Sequence, residues 1–207
     1  MLTVVNMGYG LLVLASLRGR PWVNGSLAGI TAAALLFLAL NPDALRIWDA
    51  KYFAIFRNNQ PDVFSTPEKV RDALENTDVL YYAEGVEAIV SVIKVKGGDQ
   101  SFITNGRVEA SSQLQGQQHL FVLGHLPMLL NKNPRKVLVV GTGSGMTLGA
   151  TSAHPGVEKI TLAEIEPKVI GVARTFEAYN HQVLDNPKVR IVFNDGRNFL
   201  MTTKDRF

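Results

Sequence analysis

The sequence predicts an α/β protein: an incomplete, doubly wound parallel sheet at the C-terminal end, a small antiparallel β domain before it, and apolar N-terminal helices of transmembrane length. Three observations carry this. From Arg135 to Phe207 the chain alternates strand, helix, strand, helix, strand, which is half of a doubly wound sheet. Residues 78–112 hold four short β-branched or aromatic runs separated by glycine turns. Met1–Leu17 and Pro21–Pro42 contain no charged side chain.

The two apolar runs come first. "PWVNGSLAGITAAALLFLALNP" reaches the roughly 20 residues a membrane span needs, and Met1–Leu17 is near the lower limit of about 17. Trp22 suits an interface belt, and the start "MLTVVNMGYG" lacks the positive charge of a signal peptide. Residues 1–42 are therefore read as two transmembrane helices. Arg18 and Arg20 on one side and Arg46, Lys51 and Arg57 on the other leave the orientation balanced.

Residues 43–77 read as a linker with an interfacial helix. "ALRIWDAKYFAIF" mixes aromatics with charges, and "STPEKVRDALEN" is a short helix with Ser65 or Thr66 as cap, Pro67 at its first position and Glu68 in its first turn. In the β domain, 78–112, the strands "VLYYAE", "GVEAIVSVIKVK", "QSFITN" and "RVEASS" are parted by Gly97-Gly98-Asp99 and Asn105-Gly106. The Asn-Gly pair favours a tight hairpin.

Residues 113–207 are read as a nucleoside-binding α/β domain that is cut short. Gln113–Leu130 is a helix with Leu120, Leu123, Leu126 and Leu130 on one face. "KVLVVG" and "KITLAEIE" are continuous apolar strands, "PKVIGVARTFEAYN" is a helix beginning at Pro167, and "VRIVFND" is a third strand after the Asp185-Asn186-Pro187 turn.

Composition narrows the chemistry. Of 207 residues, 46% are hydrophobic and 19% charged, with a net charge of +3 and no cysteine. Thiolate metal sites and disulfides are excluded, and no basic run suggests a nucleic-acid partner. His119, His125, His154 and His181 show no metal-ligand spacing, so no metal is expected.

The chemistry concentrates where the strands end. Ligands of open parallel sheets bind off the carboxyl ends of the strands, where Gly141, Gly143 and Gly145 let the backbone turn sharply and approach a ligand. Glu164 ends the second strand, where a carboxylate can accept hydrogen bonds from ribose hydroxyls. Asp195 and Gly196 end the third, where an acceptor and a backbone N–H can read an adenine edge. The dinucleotide fingerprint needs glycine where this chain has Met146, which disfavours NAD and FAD. A ligand without pyrophosphate, such as a sulfonium nucleoside of the S-adenosylmethionine type, fits better.

"NPRKVLVVGTGSGMTLGATSAHPGVEKITLAEIEPKVIGVAR" and "NPKVRIVFNDGRNFL" together resemble the spermidine synthase family of polyamine aminopropyltransferases. "FITNGRVEASS" and "LGHLPMLL" are similar to that family's N-terminal β domain and first helix, and the apolar start resembles its membrane-fused bacterial type. The resemblance implies a Rossmann-like sheet of the S-adenosylmethionine-dependent methyltransferase type. It implies aminopropyl transfer from decarboxylated S-adenosylmethionine to putrescine or a related amine, releasing methylthioadenosine, with no tightly bound cofactor. Glu164 would hold the ribose, Asp195 and Gly196 the adenine, and Gly141, Gly143, Ser144 and Gly145 the sulfonium side. The family's catalytic aspartate would fall beyond Phe207, so the chain reads as truncated before its base. The expected setting is a bacterial inner membrane with the synthase-like domain in the cytoplasm, and a homodimer is the expected assembly.

Two positions depart from the family pattern. The aspartate of its glycine loop is Ser144 here, and its Tyr-His/Gln-Glu triplet falls at His119, Leu120 and Phe121, while a one-turn shift brings Gln117 or Gln118 into play. Gln118 and His119 are the candidate substrate contacts. Two alternatives stay open: an S-adenosylmethionine-dependent methyltransferase, which Ser144 favours because an acid there would repel methionine's carboxylate, and a non-catalytic nucleoside-binding domain of a membrane protein.

Overall fold

The computed structural model describes Gly10 and residues 21–41, 49–57 and 61–207. The chain forms two compact units, Met1–Asp49 and Ala50–Phe207.

In the first unit, α1 (Pro21–Leu40) is one uninterrupted helix. Its described side chains begin at Gly29, and none from there to Asn41 is buried. Ile30, Leu36, Phe37 and Leu40 are each more than half exposed. Among the described residues no helix is long and apolar enough to cross a membrane. The expected first span, Met1–Leu17, lies outside the described residues apart from Gly10.

The second unit begins with α2 (Ala50–Ile55), a single turn of 3₁₀-helix (Pro61–Phe64) and α3 (Pro67–Glu75). Thr66 caps α3: its extended backbone stands outside the helix while Oγ1 accepts the Lys69 N–H at 3.4 Å, and Pro67 follows at the first position. Next comes an antiparallel sheet of β1 (Thr77–Glu84), β2 (Ile89–Val95), β3 (Gln100–Thr104) and β4 (Arg107–Ser111), in spatial order β1-β2-β3-β4. Asn105 and Gly106 both take positive φ, 48° and 80°, as a tight hairpin requires.

Both faces of this sheet are covered. On one, Ala54 and Ile55 of α2 pack with Ile93 and Ile103, joined by Phe64, Leu74, Val79 and Val108. The Ser91 hydroxyl donates to the Ala54 carbonyl at 2.9 Å. The described part of the segment expected as linker and interfacial helix, 43–77, thus supplies Ala54 and Ile55 to a core, with Phe64, Ala73 and Leu74 packed against it. On the other face, Val90, Val92, Phe102 and Ala110 meet Met146, Val169, Val172 and Phe176 of the following α/β layer.

The link between the layers is α4 (Leu114–Leu130). Its buried residue is Gly124, where a Cβ would stand 2.6 Å from both the Ala150 Cβ and the Thr147 carbonyl oxygen. Close backbone approach, not a leucine stripe, packs this helix. Leu123, Leu126 and Leu130 point outward, each at least half exposed.

The α/β layer runs β5 (Lys136–Val140), α5 (Met146–Ser152), β6 (Lys159–Glu164), α6 (Val169–Thr175), a 3₁₀ turn (Val183–Asp185), β7 (Val189–Phe193) and α7 (Gly196–Thr202). The strands are parallel in the order β5-β6-β7. Central β6 is buried from Ile160 to Glu164, as a strand covered on both faces should be. The helix expected through Asn180 stops at Thr175: Gln100 Nε2 donates to the Thr175 carbonyl at 2.9 Å, Phe176 is fully buried, and the chain turns.

Candidate functional site

The three parallel strands end side by side. Val140 of β5 is in register with Ala163 of β6, and Glu164 with Phe193 of β7. The ladder continues into the loops, where the Gly141 N–H donates to the Ala163 carbonyl at 2.8 Å and the Asn194 N–H to the Glu164 carbonyl at 3.0 Å. The glycine loop, Glu164 and the start of α7 therefore occupy one edge.

Gly141, Gly143 and Gly145 have φ of 85°, 53° and 79°. All three lie in the left-handed region that L-residues reach only with strain. A Cβ on Gly141 or Gly143 would meet nothing within 4 Å, so these two glycines serve the turn and leave open space above it. Gly145 differs. Its Cβ would lie 2.7 Å from the Asn180 Nδ2. Ser144, between them, is buried at 3% exposure, and its carbonyl accepts from Asn180 at 2.9 Å.

Glu164 is buried, and both carboxylate oxygens are engaged. Oε2 accepts the Thr142 N–H at 2.6 Å and Oε1 the Glu166 N–H at 2.9 Å. The expected ribose acceptor is thus also the strut that fixes the glycine loop. Each carboxylate oxygen has a second lone pair for a further donor. Asp195 caps α7, with Oδ1 accepting the Asn198 N–H at 2.8 Å. At Gly196 a Cβ would stand 2.5 Å from a Val140 methyl, so the third strand's loop leans onto the end of the first. Gln118 and His119 are exposed on α4, while Gln117 turns inward and donates to the Ser112 carbonyl.

Several residues here carry no sequence signal. Thr142 supplies the N–H that meets Glu164, and its own Oγ1 is buried without a partner. Val140, Ile165 and Phe193 form an apolar rim, 59%, 49% and 58% exposed, beside the polar groups. Glu166 is buried and accepts the Lys168 N–H and, from the β1–β2 turn, the Glu87 N–H, both at 3.0 Å. These backbone donors, Glu87 first, hold its carboxyl below the usual carboxylate range. The Arg174 guanidinium grips Asp185 with two bonds of 2.7 and 2.8 Å, which closes the turn containing Asn180 and lowers the Asp185 carboxyl.

The edge is an open shelf. A cleft of about 480 Å³ lies elsewhere, between Tyr52, Phe64 and the Thr66, Val70 and Leu74 side of α3. Among the described residues no three His, Asp or Glu side chains group as metal ligands.

An antiparallel sheet leading into a Rossmann-like parallel sheet, with a glycine loop and acids on its carboxyl edge, defines a nucleotide-type α/β class. Within that class, residues 120–207 match the spermine/spermidine synthase domain. A polyamine aminopropyltransferase of Archaeoglobus fulgidus is 33% identical over 121 residues, covering 58% of this chain and 44% of that protein. A spermidine synthase of Dictyostelium discoideum is 30% identical over 135 residues, covering 65% and 47%. Among solved structures, spermidine synthase from Thermotoga maritima superposes with a TM-score of 0.57 at 28% identity, over 62% of this chain and 44% of that one. A spermidine synthase bound to the transition-state analogue AdoDATO gives 0.56 at 25%, over 62% and 45%. The chain spans less than half the length of each of these relatives.

Proposed function

We propose that this chain carries the nucleoside half of a spermidine synthase-like aminopropyltransferase acting in polyamine biosynthesis. The observation that carries the reading is the glycine loop: three alternate left-handed glycines on the carboxyl edge, with open space over Gly141 and Gly143. Decarboxylated S-adenosylmethionine would lie across that edge. Glu164 accepts from the ribose with its remaining lone pairs, Asp195 and the Gly196 N–H read the adenine, and Ile165 gives the base an apolar wall.

The reaction is a displacement. An amine nitrogen attacks the methylene carbon next to the sulfonium, the C–S bond breaks with its electrons going to sulfur, and neutral methylthioadenosine leaves. The amine must first lose a proton, since its unperturbed pKa is near 10, so a carboxylate base is required. Glu164 and Asp195 are committed to the nucleoside, and Glu166 to the backbone N–H groups of Glu87 and Lys168. We assign proton transfer to a carboxylate outside these three.

This chain should bind methylthioadenosine in calorimetry, and joined in a longer chain to the missing carboxylate base it should convert decarboxylated S-adenosylmethionine and putrescine to methylthioadenosine and spermidine, read by mass spectrometry. Calorimetric preference for S-adenosylhomocysteine over methylthioadenosine, with no aminopropyl product, would sink the reading in favour of methyl transfer. Membrane association through residues 21–40 is a second proposal, resting on a charge-free helix whose described apolar side chains are uncovered. Retention of the protein in alkali-washed membranes supports it, and release into the wash rejects it.

A further inference from the structure

Asn180 is fully buried, yet it belongs to no helix or strand and plays no part in the expected site. Its amide nitrogen donates to the Ser144 carbonyl at 2.9 Å and to the Ala173 carbonyl at 2.8 Å. One side chain thus ties the glycine loop to the end of α6. The surrounding backbone is shaped to admit it. A Cβ on Gly145 would stand 2.7 Å from the Asn180 Nδ2, and one on Gly149 would stand 2.3 Å from the Asn180 carbonyl oxygen. The next two residues, His181 and Gln182, both take left-handed φ, 59° and 52°, uncommon for side chains of this size. Strain of that kind persists only where surroundings enforce it. Here Phe176 and Val183, both fully buried, anchor the two ends of the turn, and the Arg174–Asp185 fork closes it.

We infer that Asn180 is a positioning residue, which holds the Ser144–Gly145 segment so that the glycine loop keeps its ligand-receiving shape. It touches no substrate. Its effect reaches the nucleoside through the loop, so the inference rests on reading that loop as a nucleoside site. Both amide protons are used on carbonyls, so the group in this place must be a double donor. A carboxylate of the same shape would set anionic oxygen against two carbonyl oxygens.

That contrast gives the test. In the full chain, Asn180→Asp should weaken methylthioadenosine binding at least about tenfold at pH 7.5. The gap to wild type should narrow as pH falls and the aspartic acid gains an O–H to donate. Asn180→Ala, which loses both donors without adding charge, should weaken binding with no such recovery. Wild type measured over the same pH range removes contributions from Glu164, Asp195 and exposed His181. Hydrogen exchange supplies a readout that needs no ligand: protection of the Gly145 amide, bonded to the Thr142 carbonyl at 2.8 Å, should fall in both variants while β2 and β3 keep theirs. Unchanged affinity and protection in Asn180→Ala would overturn the inference. So would protection lost evenly along the chain, with no pH-dependent recovery in Asn180→Asp. If wild type binds neither methylthioadenosine nor S-adenosylhomocysteine, the functional reading falls, and local exchange still decides whether Asn180 holds the loop.

Discussion

A methyl group added at Gly143 separates the cost of folding from the cost of binding. Its φ of 53° demands the left-handed region, so Gly143→Ala should cost roughly 1–2 kcal/mol of stability. Gly97, in the β2–β3 turn, is a matched control with φ of 69° and equally open space around its missing Cβ. Both alanine variants should lower the melting temperature by similar amounts, but only Gly143→Ala should lose methylthioadenosine affinity, by tenfold or more on the order of one blocked contact. Equal affinities in calorimetry would mean that the open space over the loop is not where the nucleoside goes. The glycines were legible because only a residue without a side chain sits easily at positive φ, and three at alternate positions directly after an apolar strand mark a sharp turn at the edge of a sheet. Asn180 was not legible. Its partner Ser144 is distant in the chain, and an asparagine near a turn ordinarily signals only the turn.

Between elements, the antiparallel sheet is fastened to α6 and the residues leading into it by three polar bonds as well as by apolar packing. The Glu166 carboxylate takes the Glu87 N–H of the β1–β2 turn, the Tyr81 hydroxyl donates to the Lys168 carbonyl at 3.0 Å, and Gln100 reaches Thr175. Gly85 leaves the room: a Cβ there would stand 2.1 Å from the Glu166 Oε2. Because the folded-state pKa of Glu166 is lowered, its contribution is fully present above the unfolded value, about 4.3, and is lost as pH falls through the folded one. Glu166→Gln keeps one acceptor and turns an NH₂ toward a backbone N–H. It should cost roughly 1–3 kcal/mol at neutral pH, with the difference from wild type closing in acid. Urea midpoints from pH 7 to pH 3 check this, and a difference independent of pH would remove Glu166 from the latch. At this scale hairpins, strands and helix starts could be read from turn residues and periodicity. The face of α4 could not, because Gly124 lets two backbones approach and so turns Leu123, Leu126 and Leu130 outward. Sequence spacing marks an apolar face but cannot tell which face a neighbour will take.

For the molecule as a whole, the boundary lies at Asp49 and Ala50, not at the first strand. Residues 50–75 look like a membrane-flanking connector in sequence, with aromatics among charges. Tyr52, Phe53 and Phe56 are indeed about half exposed. The neighbouring Ala54 and Ile55 are nevertheless buried against Ile93 and Ile103, with Phe64, Ala73 and Leu74 filling in around them. Uncovering a buried aliphatic side chain costs about 1.5–3 kcal/mol. A handful of them equals the whole stability of an ordinary domain, about 5–15 kcal/mol. A chain beginning at Ala50 should therefore fold cooperatively and keep the nucleoside affinity of the longer chain. One beginning at Thr77 has every strand and the whole glycine loop, yet it exposes the Ile93 and Ile103 face of the sheet. It should aggregate or melt without a sharp transition. Thermal melts by circular dichroism, with methylthioadenosine titrations on both chains, decide the matter. A Thr77 chain that melts sharply within a few degrees of the Ala50 chain would show that α2 and α3 only decorate the sheet, and would return residues 50–75 to the role of connector.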